Sequence, residues 1–138
     1  MRRAEGGAKL ASVVILVKGV LNTLLGALHI VGAFTFEARK VAGQGTPAMR
    51  RDYILWFGVV GAFILFMGLL DVFCYQGLKA RRSWAWRISL LCAAFTTLTG
   101  VSGVMAFGVS PPLELLATGI AGLAVLSCSR GEFRDGSS

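Results

Sequence analysis

Residues Val17–Ala33 read VKGVLNTLLGALHIVGA, an apolar run interrupted by Lys18, Asn22 and His29. At about 100° per residue these three fall within roughly 40° of one another on a helix surface. Gly19, Gly26 and Ala33 follow along one flank of that stripe. The run is apolar enough to enter a bilayer. Polar groups in hydrocarbon are costly, however, and turn toward protein or a water-filled cavity. The pattern therefore predicts a membrane helix whose polar stripe faces other helices, with the rest of the chain placed to cover it.

Composition agrees with this. Of 138 residues 55% are hydrophobic and 15% charged, against about a quarter charged in soluble domains. The apolar residues come in long blocks, which predicts an all-α polytopic membrane protein: an antiparallel bundle of four transmembrane helices in a single domain. The spans fall at about 10–36, 53–75, 88–107 and 111–128. The N-terminus, MRRAEGGAK followed by an apolar run, has the outline of a signal peptide. Because Lys18 interrupts the run and no A-x-A site follows, it is read as an uncleaved first span.

Between the first two spans lies EARKVAGQGTPAMRRD, residues 37–52, whose glycines and Pro47 break helices. Tyr53 and Trp56 open the second span as interfacial anchors. Arg81, Arg82, Trp84, Trp86 and Arg87 mark a second membrane–water boundary, since tryptophans beside arginines favour headgroup level. Gly61 and Gly68 share one face of the second span. The third carries Ser89, Cys92, Ala93, Thr96, Thr99, Gly100 and Gly103 within one arc, a small-and-hydroxyl surface suited to helix contact. Pro111 and Pro112 lead the fourth span.

Lys and Arg set the orientation. Arg2, Arg3, Lys9, Lys79, Arg81, Arg82, Arg87, Arg130 and Arg134 gather on one side, nine in all, against Arg39, Lys40, Arg50 and Arg51 on the other. Both termini are thus expected in the cytoplasm, with the chain in the plasma membrane. The net charge of +7 sits at span ends, where it suits a bilayer with anionic headgroups. No basic face with interleaved aromatics exists outside the spans, which argues against nucleic acid. Cys74, Cys92 and Cys128 are odd in number and lack a CxxC pair, so they are read as small apolar fillers and not as a disulfide framework.

Two acids reach depths compatible with the stripe. Asp71 can meet Lys18, although Lys18 can also snorkel to the headgroups while Asp71 stays at the water interface. Glu114 can meet His29 in the outer third of the membrane. The plainer reading bonds a neutral His29 to a backbone carbonyl or hydroxyl and leaves Glu114 to the first turn of its own helix. We expect Lys18, Asn22, His29, Asp71 and Glu114 to form an intramembrane polar site with both acids paired. A single histidine supports neither a bis-histidine haem nor a zinc centre. No catalytic triad, phosphate loop or carboxylate pair is visible. No metal, cofactor or catalytic residue is therefore assigned.

The stretch GALHIVG, the RRDY…WFGVVGAFILFMGLL opening of the second span, the WAW start of the third and the proline-led fourth together resemble small four-span bacterial inner-membrane proteins of unknown function. That resemblance implies a fold and no activity. Three functions remain open on the residues. They are a non-enzymatic accessory subunit that packs against other membrane subunits or itself, a small oligomeric transporter or channel with a polar path along Lys18, Asn22 and His29, and a quinone- or lipid-binding redox partner using His29.

Overall fold

A computed structural model describes residues 4–40, 51, 54–107 and 112–133, with backbone alone at 4, 5, 36–40, 56, 106, 107 and 112. The outer segment 41–50, Tyr53, the Trp56 side chain and Pro111 lie outside the described residues. Every element is helical: α1 (Ala4–Lys40), a π-helical turn (Leu55–Val59) running into α2 (Val60–Lys79), α3 (Ser83–Phe107), α4 (Pro112–Cys128) and a 3₁₀ turn (Arg130–Phe133).

The helices overrun the expected spans. No proline interrupts residues 4–40, so α1 continues through its charged flanks for 37 residues, about 55 Å at 1.5 Å per residue. α2 runs on past Tyr75 to Lys79, and α3 begins at Ser83, so Trp84 and Trp86 lie inside it and not ahead of it. The segments 6–35, 57–79 and 83–105 are each long and apolar enough to cross a membrane. α4, with 17 residues, is about 25 Å long and falls short of that length.

The molecule is apolar outside and polar within. Leu28, Phe34, Phe73 and Met105 are 67%, 69%, 69% and 84% exposed. Lys18, Asn22, Asp71 and Ser89 are no more than 2% exposed. Water-soluble domains rarely expose so continuous an apolar surface around a polar interior; a protein solvated by lipid does.

Close packing of α1 on α2 depends on four glycines. Gly19 and Gly26 lie two turns apart on α1, and Gly61 and Gly68 two turns apart on α2. A methyl at Gly19 would stand 2.9 Å from Asp71 Cβ and 3.0 Å from the Gly68 carbonyl; at Gly26 it would meet the Gly61 carbonyl at 2.7 Å. Contacts that climb α1 descend α2, since Gly19 lies against Gly68 and Gly26 against Gly61. α3 and α4 repeat the device: Gly100 lies on Leu116, and Gly119 on Thr97. Small residues let helix backbones touch where lipid supplies no hydrophobic push.

The apolar core gathers at the end where α1 begins and α2 ends. Ala8, Ala11, Ile15, Cys74, Leu78, Ala85, Ala93, Leu126 and Phe133 form it. There Glu132 Oε2 accepts a hydrogen bond from the Ala8 amide at 2.6 Å, fastening the 3₁₀ turn onto the first turns of α1. The turn from α2 to α3 is closed by Arg82 N to Gly77 O (2.8 Å) and Arg81 N to Leu78 O (3.0 Å), the paired bonds of a Schellman ending. Its left-handed residue, ordinarily glycine, is Arg81 at φ 57°.

Candidate functional site

All four helices meet around Lys18. Its ammonium is bonded to Asp71 Oδ2 of α2, and the pair is shut from solvent at 2% and 0% side-chain exposure. The lysine stem runs beneath Gly122 of α4, whose would-be methyl lies 3.2 Å from Lys18 Cδ and 3.2 Å from Ala93 Cβ of α3. Gly122 therefore clears the space the stem occupies. Snorkelling is excluded in this arrangement, and both charges sit well inside their helices. Asp71 is eight residues from the end of α2 and Lys18 fourteen from the start of α1, or about 12 and 21 Å along their axes.

Around the pair the polar atoms outnumber their partners. Asn22 Nδ2, Asp71 Oδ1 and Ser89 Oγ are buried without a hydrogen bond. Ser89 faces the Cys74 thiol, and Cys92 lies within electrostatic reach of both Asp71 and Lys18. Other buried hydroxyls are satisfied locally, Thr96 by the Cys92 carbonyl at 2.7 Å and Ser129 by the Val125 carbonyl at 2.9 Å. Each unsatisfied buried group costs about 1–3 kcal/mol, so the polar excess is concentrated beside the ion pair. All three cysteines are free, with Cys74 and Cys92 buried and Cys128 exposed.

The second expected pair does not form. His29 Nδ1 bonds the Leu25 carbonyl at 2.8 Å, and its ring stacks on Phe57 with centroids 5.5 Å apart and planes 18° from parallel. The π-helical turn carries Phe57 to that place. The glycine contact explains the choice: Gly61 lies against His29 Cβ and the Ile30 backbone, which turns the imidazole toward α2. Glu114 is exposed on α4 and has no ion pair among the described residues. It stands instead at a cleft of about 480 Å³ between α1 and α4, with Leu24, Leu25, Leu28 and the buried Asn22 along its α1 wall. Lys18 and Asn22 thus face the interior as the stripe predicts, whereas His29 is half-buried against the α2 side.

The boundary residues divide likewise. Arg81, Arg82 and Arg87 are exposed, and Trp84 is 43% exposed, its ring tilted against Phe73. Trp86 is half-buried, and its Nε1 donates to the Leu126 carbonyl at 2.9 Å, so it also joins α3 to α4. Among the described residues no three His, Cys, Asp or Glu groups converge as metal ligands.

Sequence reasoning missed the Ser89–Cys74 contact, although Cys74 follows Asp71 by one turn on the same face. It also missed the Glu132 fastening, for which an acid beside Phe133 in a polar tail is a thin signal. Compared with protein-family models, curated proteins and solved structures, the chain matches none.

Proposed function

We propose that this chain is a multi-pass membrane protein of four antiparallel spans with both termini cytoplasmic, acting as a non-enzymatic accessory subunit within a membrane complex or a homo-oligomer. The observation that carries the reading is the closed junction around Lys18 and Asp71. Two opposite charges neutralise one another under Gly122 and Ala93, which serves to hold four helices in fixed register. A buried polar contact of this kind specifies which helices pair, and at what depth, better than apolar packing in lipid can. The short α4 spans by thinning the bilayer locally. A setting in the bacterial inner membrane, and kinship with the small four-span proteins that the sequence resembles, belong to the same proposal.

Purification in mild detergent tests the function. Stoichiometric partner chains, or a stable homo-oligomer silent in flux assays, support an accessory role. A monomer without partners ends it. Topology is tested separately in a cysteine-free background: a cysteine at Ala80 should stay protected from an impermeant reagent added outside the cell, and one at Gly43 should react.

One observation favours a second reading, a small transporter or channel. Asn22 Nδ2 and Asp71 Oδ1 are buried polar atoms without partners at a titratable pair, as suits a centre that opens to water or a cation in another conformation. Proton or cation flux in vesicles, lost in Asp71→Asn, would establish it over the first.

A further inference from the structure

At the end of the molecule where α1 starts and α2 stops lies a cleft of about 440 Å³ lined by Ala8, Lys9, Ser12, Val13, Tyr75, Lys79 and Arg81. We propose that it is a binding site for the phosphate-bearing headgroup of a polyanionic phospholipid such as cardiolipin. This rests on the reading above that this end of the bundle lies at headgroup level.

Three cations border the cleft, from two helices and the turn, and Lys9, Lys79 and Arg81 are all exposed. Among the described residues none of them has an ion pair. Of the described acids near this end, Glu132 is bonded to the Ala8 amide, and Asp71 is held by Lys18. The cleft therefore carries three positive charges that no described acid pairs with, which matches a headgroup with more than one phosphate better than a monoanionic one. Tyr75 adds a phenol to the wall, and Val13, 48% exposed, begins the apolar flank along which acyl chains would lie. A soluble anion has no use for that flank.

Arg81 supplies the independent observation. It occupies a left-handed position, φ 57°, where glycine is the comfortable residue. Strain retained at one residue, with its charge on the rim of a basic cleft, points to use of that charge. The site is distinct from the Arg82, Trp84 and Arg87 boundary, none of which lines the cleft.

Native mass spectrometry of the detergent-purified chain, titrated with cardiolipin, phosphatidylglycerol or inorganic phosphate, tests the site. The wild type should hold one cardiolipin more tightly than phosphatidylglycerol. Each lysine-to-glutamine change should weaken it about fivefold, and Lys9→Gln/Lys79→Gln/Arg81→Gln by about a hundredfold, from roughly 1 kcal/mol per basic residue near an anionic surface. Arg81→Gly removes the charge while keeping the turn, so its loss of binding cannot be put down to misfolding. Arg82→Gln/Arg87→Gln should stay within about twofold of wild type. Equal retention of cardiolipin by the triple variant, or equal loss in Arg82→Gln/Arg87→Gln, overturns the site. Displacement of cardiolipin by equimolar phosphate overturns the lipid as occupant. Alkaline carbonate extraction keeps the two readings apart: release into the supernatant defeats membrane insertion itself, whereas a pelleted protein without lipid preference defeats only the site.

Discussion

Lys18 on α1 and Asp71 on α2, 53 residues apart in sequence, are bonded through Nζ and Oδ2 with neither side chain more than 2% exposed. Neutralising one leaves the other charged, buried and alone. Lys18→Met or Asp71→Leu should therefore each cost about 3–5 kcal/mol, and the double variant should recover much of that loss. Unfolding by SDS in mixed micelles measures it. Costs that simply add would mean the pair does not act as a unit.

The glycines can be ranked by what lies opposite them. Gly26 packs directly on the backbone of α2, whereas Gly32, on the same helix, has nothing within 4 Å. Gly26→Ala should destabilise by about 1–3 kcal/mol through overpacking. Gly32→Ala should be neutral, or stabilising by up to about 1 kcal/mol, because alanine is the better helix former. The same unfolding titration reads both, and equal effects would contradict the interface described.

Trp84 and Trp86 are two residues apart and do different work. Trp86→Phe keeps a ring but removes the donor to Leu126, so it should cost about 0.5–1.5 kcal/mol. Trp84→Phe should cost less. In single-tryptophan variants, lipid brominated near the headgroup should quench Trp84 strongly and Trp86 weakly. Equal quenching would return Trp86 to the membrane boundary.

His29 and Glu114 serve as a negative control for coupling. His29→Leu forfeits the bond to Leu25 and the stack on Phe57, a loss of about 1–2 kcal/mol. Glu114→Leu should be close to neutral. Their combination should be additive within about 0.5 kcal/mol. A coupling well above that would show that the two residues meet after all.

Periodicity made the interior stripe legible because membrane burial polarises a helix strongly. Lys18 and Asn22 have nowhere inexpensive to point except inward, and Asp71 was the acid at a reachable depth. The His29 error has a local cause. Helical phase fixes where Cβ lies but not which carbonyl or ring a side chain chooses, and Leu25, four residues back on the same helix, was always nearer than any group on α4. The Trp86 bond is hidden from the sequence for a related reason. Composition marks tryptophan beside arginine as interfacial, yet whether its N–H meets water or a carbonyl depends on the neighbouring helix, here Leu126. Helix ends were underestimated because charged residues such as Lys9 and Lys79 mark where hydrocarbon stops, not where the helix stops.

The sequence distance between Lys18 and Asp71 has a consequence for how the chain is made. During synthesis α1 reaches the insertion machinery while its partner acid is still 53 residues away, several seconds at about 5–20 residues per second. For that interval an unpaired ammonium near the middle of the helix carries a penalty of roughly 2.5–3.5 kcal/mol against release into lipid. Release of α1 is therefore expected to wait for α2, the two leaving together as a neutral hairpin, and a chain truncated before Asp71 should insert less efficiently than one that includes it. The four glycines that let their backbones touch suit that pairing, so the first unit expected to commit to lipid is a pair of helices and not a single one.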